Sequence, residues 1–263
     1  MFKRKLYLIM SYVLIATLAA ALSGCTTLYN PATGQKETYF ISTAQEMAIG
    51  ENVEKEVLET YKVSGDKKKQ DYVDQIGQKV ASVSDRQDLD YKFVVLDDKE
   101  LNAFTIPGGI VYINTGLLDI LNDDEVAAVL AHEIGHVAAR HSIKRIQSQL
   151  GYQLLLTVAV VSVNKNDPNA AKTVAQGSNA IFELVQLGYS RRDELLADRL
   201  SIKYTYKAGY NPWGMVEALK KLQAHSEEKG GWGGPVILRS HPYIEDRIRA
   251  GIAEVGNLPE TKL

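Results

Sequence analysis

The feature that most narrows what this chain can fold into is His132-Glu133-Ile134-Gly135-His136. Histidines four residues apart lie one turn apart on the same face of an α-helix, the spacing at which one helix offers two ligands to a tetrahedral zinc. Glu133 sits about 100° round the helix from His132. It is too far round to be an equal ligand, and near enough to a water on the metal to take its proton. Zinc lowers the pKa of such a water towards about 7 and polarises a carbonyl, so the pattern predicts hydrolysis of a peptide bond with Glu133 as general base. The chain has five histidines, so the pattern needs its context. Asn122-Asp123-Asp124-Glu125 supplies a cap and three acids at a helix start, where free N–H groups and the helix dipole favour them. Ala127, Ala128, Ala131, Gly135, Ala138 and Ala139 then make the helix narrow, so that other backbones can approach the metal.

A catalytic zinc takes three protein ligands and keeps one position open. With His132 and His136 as two, Glu194 is the candidate for the third, in Arg191-Arg192-Asp193-Glu194-Leu195-Leu196-Ala197-Asp198. Glu194 and Asp198 are again four apart, so one carboxylate can bind metal while the other accepts the free N–H of His132. Without the histidine motif, the same acids would read as surface partners of Arg191, Arg192 and Arg199. His141, five residues past His136, falls about 140° round a continuing helix, off the metal face. His225 stands in no motif, and neither histidine is assigned.

The N-terminus differs in composition. Lys3, Arg4 and Lys5 precede an apolar run over residues 6–22, a secretory signal too short for a confident membrane span. Residues 1–24 hold three bases and no acids; their removal leaves 27 basic against 32 acidic residues, a net charge of −5. Nothing in that balance suggests nucleic acid. Cys25, the only cysteine, cannot form an internal disulfide. Its setting in Leu22-Ser23-Gly24-Cys25 resembles the bacterial lipobox, which implies lipidation at Cys25. Several acyl chains anchor stably where one does not. Thr26 after it implies, by the same resemblance, the outer membrane facing the periplasm.

Residues 25–42 are polar and turn-rich and read as a lipidated tether, with one domain over 43–255 and a tail over 256–263. Ser42-x-x-Gln45 and Thr43-x-x-Glu46 fit a capping box before a first helix ending near Ser64-Gly65; Val73, Ile76, Val80 and Val83 repeat at helical spacing to about Asp85. Residues 91–96, 102–106 and 110–113 are rich in β-formers, the last two flanking a Pro107-Gly108-Gly109 turn. Beyond Asn114 the spacing is helical. The apolar stretch 154–163, ten residues long, is shorter than a membrane span and predicts a buried helix. The fold class expected is α+β: a mainly α-helical, zincin-type metallopeptidase domain with a small β-sheet bordering the cleft.

Several motifs occur in one order: Asn30-Pro31-x-Thr33-Gly34, Gln45-Glu46-x-x-x-Gly50, Asn102-Ala103-Phe104-x-x-Pro107-Gly108-Gly109, the His-Glu-x-x-His helix, Glu194-x-x-x-Asp198 and Ser240-His241-Pro242. In these the chain resembles, over roughly residues 29–255, the HtpX-like and type I CAAX-prenyl-protease-like zinc metallopeptidases, in their lipoprotein branch. The resemblance implies one Zn2+ per chain and endoproteolysis of unfolded or misfolded envelope proteins at the Gram-negative outer membrane. It also implies that Asn102, Ala103 and Phe104 form an edge strand binding an extended peptide; Phe104 and Ile106 read equally as core. His241 is left with two roles, oxyanion stabiliser or occupant of the open zinc position in a resting enzyme, beside a plain loop-fixing role. Arg247 is a further oxyanion candidate. The rival reading is a zinc-bound chaperone or scaffold with a closed site. Oligomeric state is not legible.

Overall fold

The computed structural model describes residues 26–151, 188–228 and 235–259. The signal segment, Cys25, the 154–163 stretch and residues 260–263 of the tail lie outside them.

Three strands form the central sheet: β3 Lys92–Leu96, β4 Ala103–Ile106 and β5 Ile110–Asn114, in the order β3-β5-β4. β3 runs parallel to β5 with Phe93 opposite Val111, and β4 runs antiparallel with Phe104 opposite Tyr112. Gly108 and Gly109, both at φ 86°, make the β4–β5 turn, a conformation other residues adopt only with strain. The strands are apolar on both faces because both faces are covered. Phe93, Val95, Val111 and Ile113 point towards α2 (Lys67–Ala81) and α4 (Asp123–Ala138). Val94, Leu96, Phe104, Ile106 and Tyr112 point towards Val53 and Val57 of α1 (Thr43–Thr60).

Local chemistry sets the helix starts. Ser42 and Gln45 form the predicted capping box of α1, while Glu46 turns inward to Arg86 and Arg140 instead. Asp66 caps α2 through the N–H groups of Lys68 and Lys69. Asn122 and Glu125 form the capping box of α4, and Lys221 reaches Glu125 at 2.6 Å.

The two sheet edges differ. Gln70 stands in for a neighbouring strand along β3: its Nε2 donates to Phe93 O at 2.8 Å and its Oε1 accepts from Val95 N at 3.0 Å. Gln78 and the 62–64 segment close the rest. On β4, residues 103–106 make no backbone hydrogen bond beyond the ladder among the described residues.

Residues 26–39 are not a loose tether. β1 Thr26–Asn30 and β2 Gln35–Tyr39 form an antiparallel hairpin. The Asn30-Pro31 and Thr33-Gly34 signals that read as linker are its turn, with Gly34 at φ 69°. Asn30 Nδ2 donates to Ala138 O at 3.2 Å, and Tyr39 and Ile41 pack on Ile143 and Ile146, within a helical segment over 141–151.

α4 is the central helix, buried at every residue from Glu125 to Ala138. The short α3 (Thr115–Leu118) precedes it and α5, the segment over 141–151, follows; it is flanked by α6 (Arg191–Ala208) and α7 (Gly214–Glu228), α9 (Ile244–Gly256) packs on both of these, and α8 (Ile237–Ser240) carries the chain back over the site. No helix among the described residues is long and apolar enough to cross a membrane.

Candidate metal centre

Gly135 is what brings the two motif helices together. A Cβ there would lie 3.1 Å from Ala197 O and 3.2 Å from Ala197 Cα, so the first turns of α6 cross α4 at backbone contact. That approach sets Glu194 and Asp198 against His132 and His136. His132 Nε2 and His136 Nε2 stand 3.0 Å apart. Glu194 Oε1 is 3.5 Å from His136 Nε2, and its Oε2 is 3.6 Å from His132 Nε2. Behind His132, Nδ1 meets Asp198 Oδ1 at 2.8 Å, the arrangement expected from the i, i+4 acids.

His241 joins the same group. Its Nδ1 lies 3.2 Å from His132 Nε2 and 3.1 Å from Glu194 Oε1, and its Nε2 lies 3.5 Å from Glu133 Oε1. The loop holding it is pinned by Tyr189 N to Ser240 O at 3.1 Å and by Ile237 N to Leu101 O at 3.1 Å.

Arg247 does not face an open cleft, which corrects the oxyanion expectation. Its Nε and Nη2 donate to the two oxygens of Asp198 at 2.8 and 2.7 Å, its Nη1 donates to His241 O at 3.0 Å, and the same Nη1 lies 2.9 Å from Glu194 Oε2. Committed in this way, the guanidinium holds both acids in place. Burial works against ionising either carboxylate, but His241 and Arg247 outweigh it at Glu194, and Arg247 outweighs it at Asp198, so both sit below the ordinary carboxylate value. Glu133 goes the other way: burial pushes its carboxyl up.

Among the expected substrate residues, Asn102 is 3% exposed, Ala103 0% and Phe104 4%. Phe104 stacks on Tyr112 at 4.9 Å and meets Tyr61 at 5.7 Å, so its ring is core, and β4 as a whole, Thr105 and Ile106 included, is enclosed. Asn102 Oδ1 is buried without a hydrogen-bond partner.

Two site neighbours escaped the sequence reading. Tyr189 stacks on the His136 ring at 3.9 Å. His141, expected off the metal face, lies with its Nδ1 2.8 Å from His136 Nδ1. No glycine or proline marks the end of α4, so helical periodicity carried straight past the break at Arg140, where φ is 56°.

The donor set fits a metal. Atoms of His132, His136, Glu194 and His241 lie within 4.8 Å of one another, all buried. Ligands about 2.1 Å from a tetrahedral ion stand roughly 3.4 Å apart, close to the spacings here. Lone pairs facing one another at 3.0 Å in a dry interior are costly unless a cation lies between them. Both Glu133 oxygens lack a hydrogen-bond partner among the described residues.

The family model described as Peptidase family M48 matches residues 67–253. The chain belongs to peptidase family M48. M48 is a family of metallopeptidases, and among the described residues the buried histidine–glutamate group is the one placed to hold a metal. The chain is 26% identical over 251 residues to the beta-barrel assembly-enhancing protease of Escherichia coli, covering 89% of this chain and 50% of that protein. It is 30% identical over 167 residues to Metalloprotease LoiP of the same organism, covering 62% and 64%. It is 27% identical over 231 residues to the mitochondrial metalloendopeptidase OMA1 of Schizosaccharomyces pombe, covering 84% and 64%. The chain thus spans about half the length of the first of these M48 relatives. The α+β fold expected from sequence is the fold observed.

Proposed function

We propose that this M48 chain is a zinc endopeptidase, holding one Zn2+ through His132, His136 and Glu194 and tethered by lipid at Cys25 to the outer membrane, where it faces the periplasm. Its substrates in this reading are unfolded or misfolded envelope proteins, in line with the name of the beta-barrel assembly-enhancing relatives. The observation that carries it is the convergence of three buried donors on one point, with the carboxylate of Glu133 alongside and, among the described residues, without a hydrogen-bond partner.

The metal, when bound, would supply Lewis-acid polarisation of the scissile carbonyl and acidify water. The chain's own groups do the rest. Asp198 fixes the tautomer of His132 by accepting from Nδ1, and Arg247 fixes Asp198. Glu133, kept short of hydrogen bonds and with its carboxyl raised above the ordinary value by burial, takes the proton from the attacking water and returns it to the leaving amine. Val129, Met215, Leu219 and Leu222 line the space beside Glu133 and His241, which keeps bulk water out. An extended substrate pairs with the unladdered edge of β4 once that enclosed strand is uncovered.

His241 supports the closed-site reading as a second possibility, because its Nδ1 lies among the donors at 3.1–3.2 Å rather than out where an oxyanion would form. In that reading His241 takes the open metal position at rest, and the protein holds peptides as a chaperone or scaffold until the loop moves.

Casein or unfolded outer-membrane protein is offered to the full chain. Cleavage is expected in the wild type, to fall about 10²–10⁴-fold in Glu133→Gln and to vanish on chelation. Bound zinc without cleavage in the wild type, and equal peptide holding by Glu133→Gln, would favour the closed site.

A further inference from the structure

α4 ends at Ala138, and the chain turns at Arg140, a non-glycine residue in left-handed backbone at φ 56°. That conformation is unfavourable for an L-residue and persists only where the surroundings over-determine it. Here they do. Arg140 Nε and Nη2 donate to Glu46 Oε2 at 3.1 and 2.8 Å, Nη2 reaches Thr43 Oγ1 at 3.2 Å, and the guanidinium lies 4.5 Å over the Tyr39 ring. Arg86 fixes Glu46 from the other side with two 2.8 Å bonds.

The kink has one effect at the metal centre. It swings His141 back under its own helix, so that His141 Nδ1 faces His136 Nδ1 at 2.8 Å and His141 Nε2 faces Asp193 Oδ1 at 3.4 Å. Resting on the reading that His136 binds metal through Nε2, the other nitrogen of that ring must carry its proton and needs an acceptor. His132 has a carboxylate for this purpose; His136 has no carboxylate at Nδ1 and meets an imidazole.

We propose that His141 is a positioning residue for His136: its Nδ1 accepts the His136 Nδ1 proton, its own proton sits on Nε2 towards Asp193, and the Arg140–Glu46 lock holds the relay in register. His141 does not touch metal or substrate. It orients one ligating ring at its edge, and Tyr189, stacked on the face of that ring, completes the slot.

The test is zinc titration into the metal-stripped full chain against a chromophoric chelator, with melting of each metal-free protein recorded alongside. Variants are His136→Ala, His141→Ala, His141→Asn and Asp193→Ala. An asparagine carbonyl can occupy the place of an imidazole Nδ1 and accept the same bond. His141→Ala is expected to bind zinc about 10- to 100-fold more weakly, with His141→Asn restored to near the wild-type affinity. Should metal-free His141→Ala fail to melt cooperatively, Asp193→Ala carries the same expectation of weakened binding. Wild-type affinity in the readable alanine variant, or no rescue by asparagine, overturns the relay. A wild type no tighter than His136→Ala would instead overturn the metal-site reading beneath it.

Discussion

Arg247 sits at the bottom of the site as the common counter-ion of Asp198 and Glu194, fully enclosed with both of them. A buried pair loses far more when one member is removed than the pair contributes, because a bare charge is left behind. Arg247→Met is therefore expected to cost about 3–5 kcal/mol in the metal-free protein, read by urea unfolding; a loss under about 1 kcal/mol would show the acids to be solvated or protonated. At this scale the sequence is most legible where function follows helical spacing. His132, His136, Glu194 and Asp198 are found because i, i+4 pairs must share a face. His141 is missed because a left-handed residue with no glycine signal resets the phase, and Tyr189 because ring stacking across 50 residues leaves no local trace.

The contact between α4 and α6 makes its own demand on sequence. Gly135→Ala should gain up to about 1 kcal/mol of helix propensity, yet its new Cβ would press on the backbone of Ala197, which has no rotamer to yield. Overpacking of this kind costs about 1–3 kcal/mol, so the net expectation is destabilisation together with weaker zinc binding. A more stable variant with unchanged zinc affinity would show that the two helices can part freely. At the outer edge of β3, Gln70→Leu removes both substitutes for a strand partner and is expected to cost about 1–3 kcal/mol, with faster amide exchange at Val95. Exchange at Val95 identical to wild type would mean that edge is protected some other way. The strands themselves were legible as β-branched runs bounded by glycine turns. That β3 and β5 run parallel was not, since only the intervening β4 and its turn impose it.

Over the whole molecule, the N-terminal hairpin has one ionic tie to the body beside its Asn30 bond and its Tyr39 and Ile41 packing: Glu37 accepts from Asn30 and Tyr39 within the hairpin and, at 2.6 Å, from Lys144 of the body. Burial alone would raise this carboxyl, but Lys144, Tyr39 and Asn30 outweigh it and hold it below its ordinary value. A depressed carboxylate contributes stability above the unfolded value near about 4.3 and loses it as pH falls through the lower folded value. Protection against hydrogen exchange over residues 26–39, taken relative to the intrinsic rate at each pH, should accordingly fall on acidification in the wild type and change less in Glu37→Gln; equal acid response in both would assign the docking to other contacts. The same hairpin shows where reading by composition stops, since Asn-Pro and Thr-Gly mark a turn without saying whether its arms pair. The unequal edges of the sheet bear on how such a molecule survives its own diet under the function proposed above. Unfolded chains are adhesive to any bare strand, and a protein that handles them all day risks being absorbed into their tangles. With glutamine standing guard along β3 and β4 sunk among its neighbours, this sheet gives a stray chain, among the described residues, nothing to hold until it is opened.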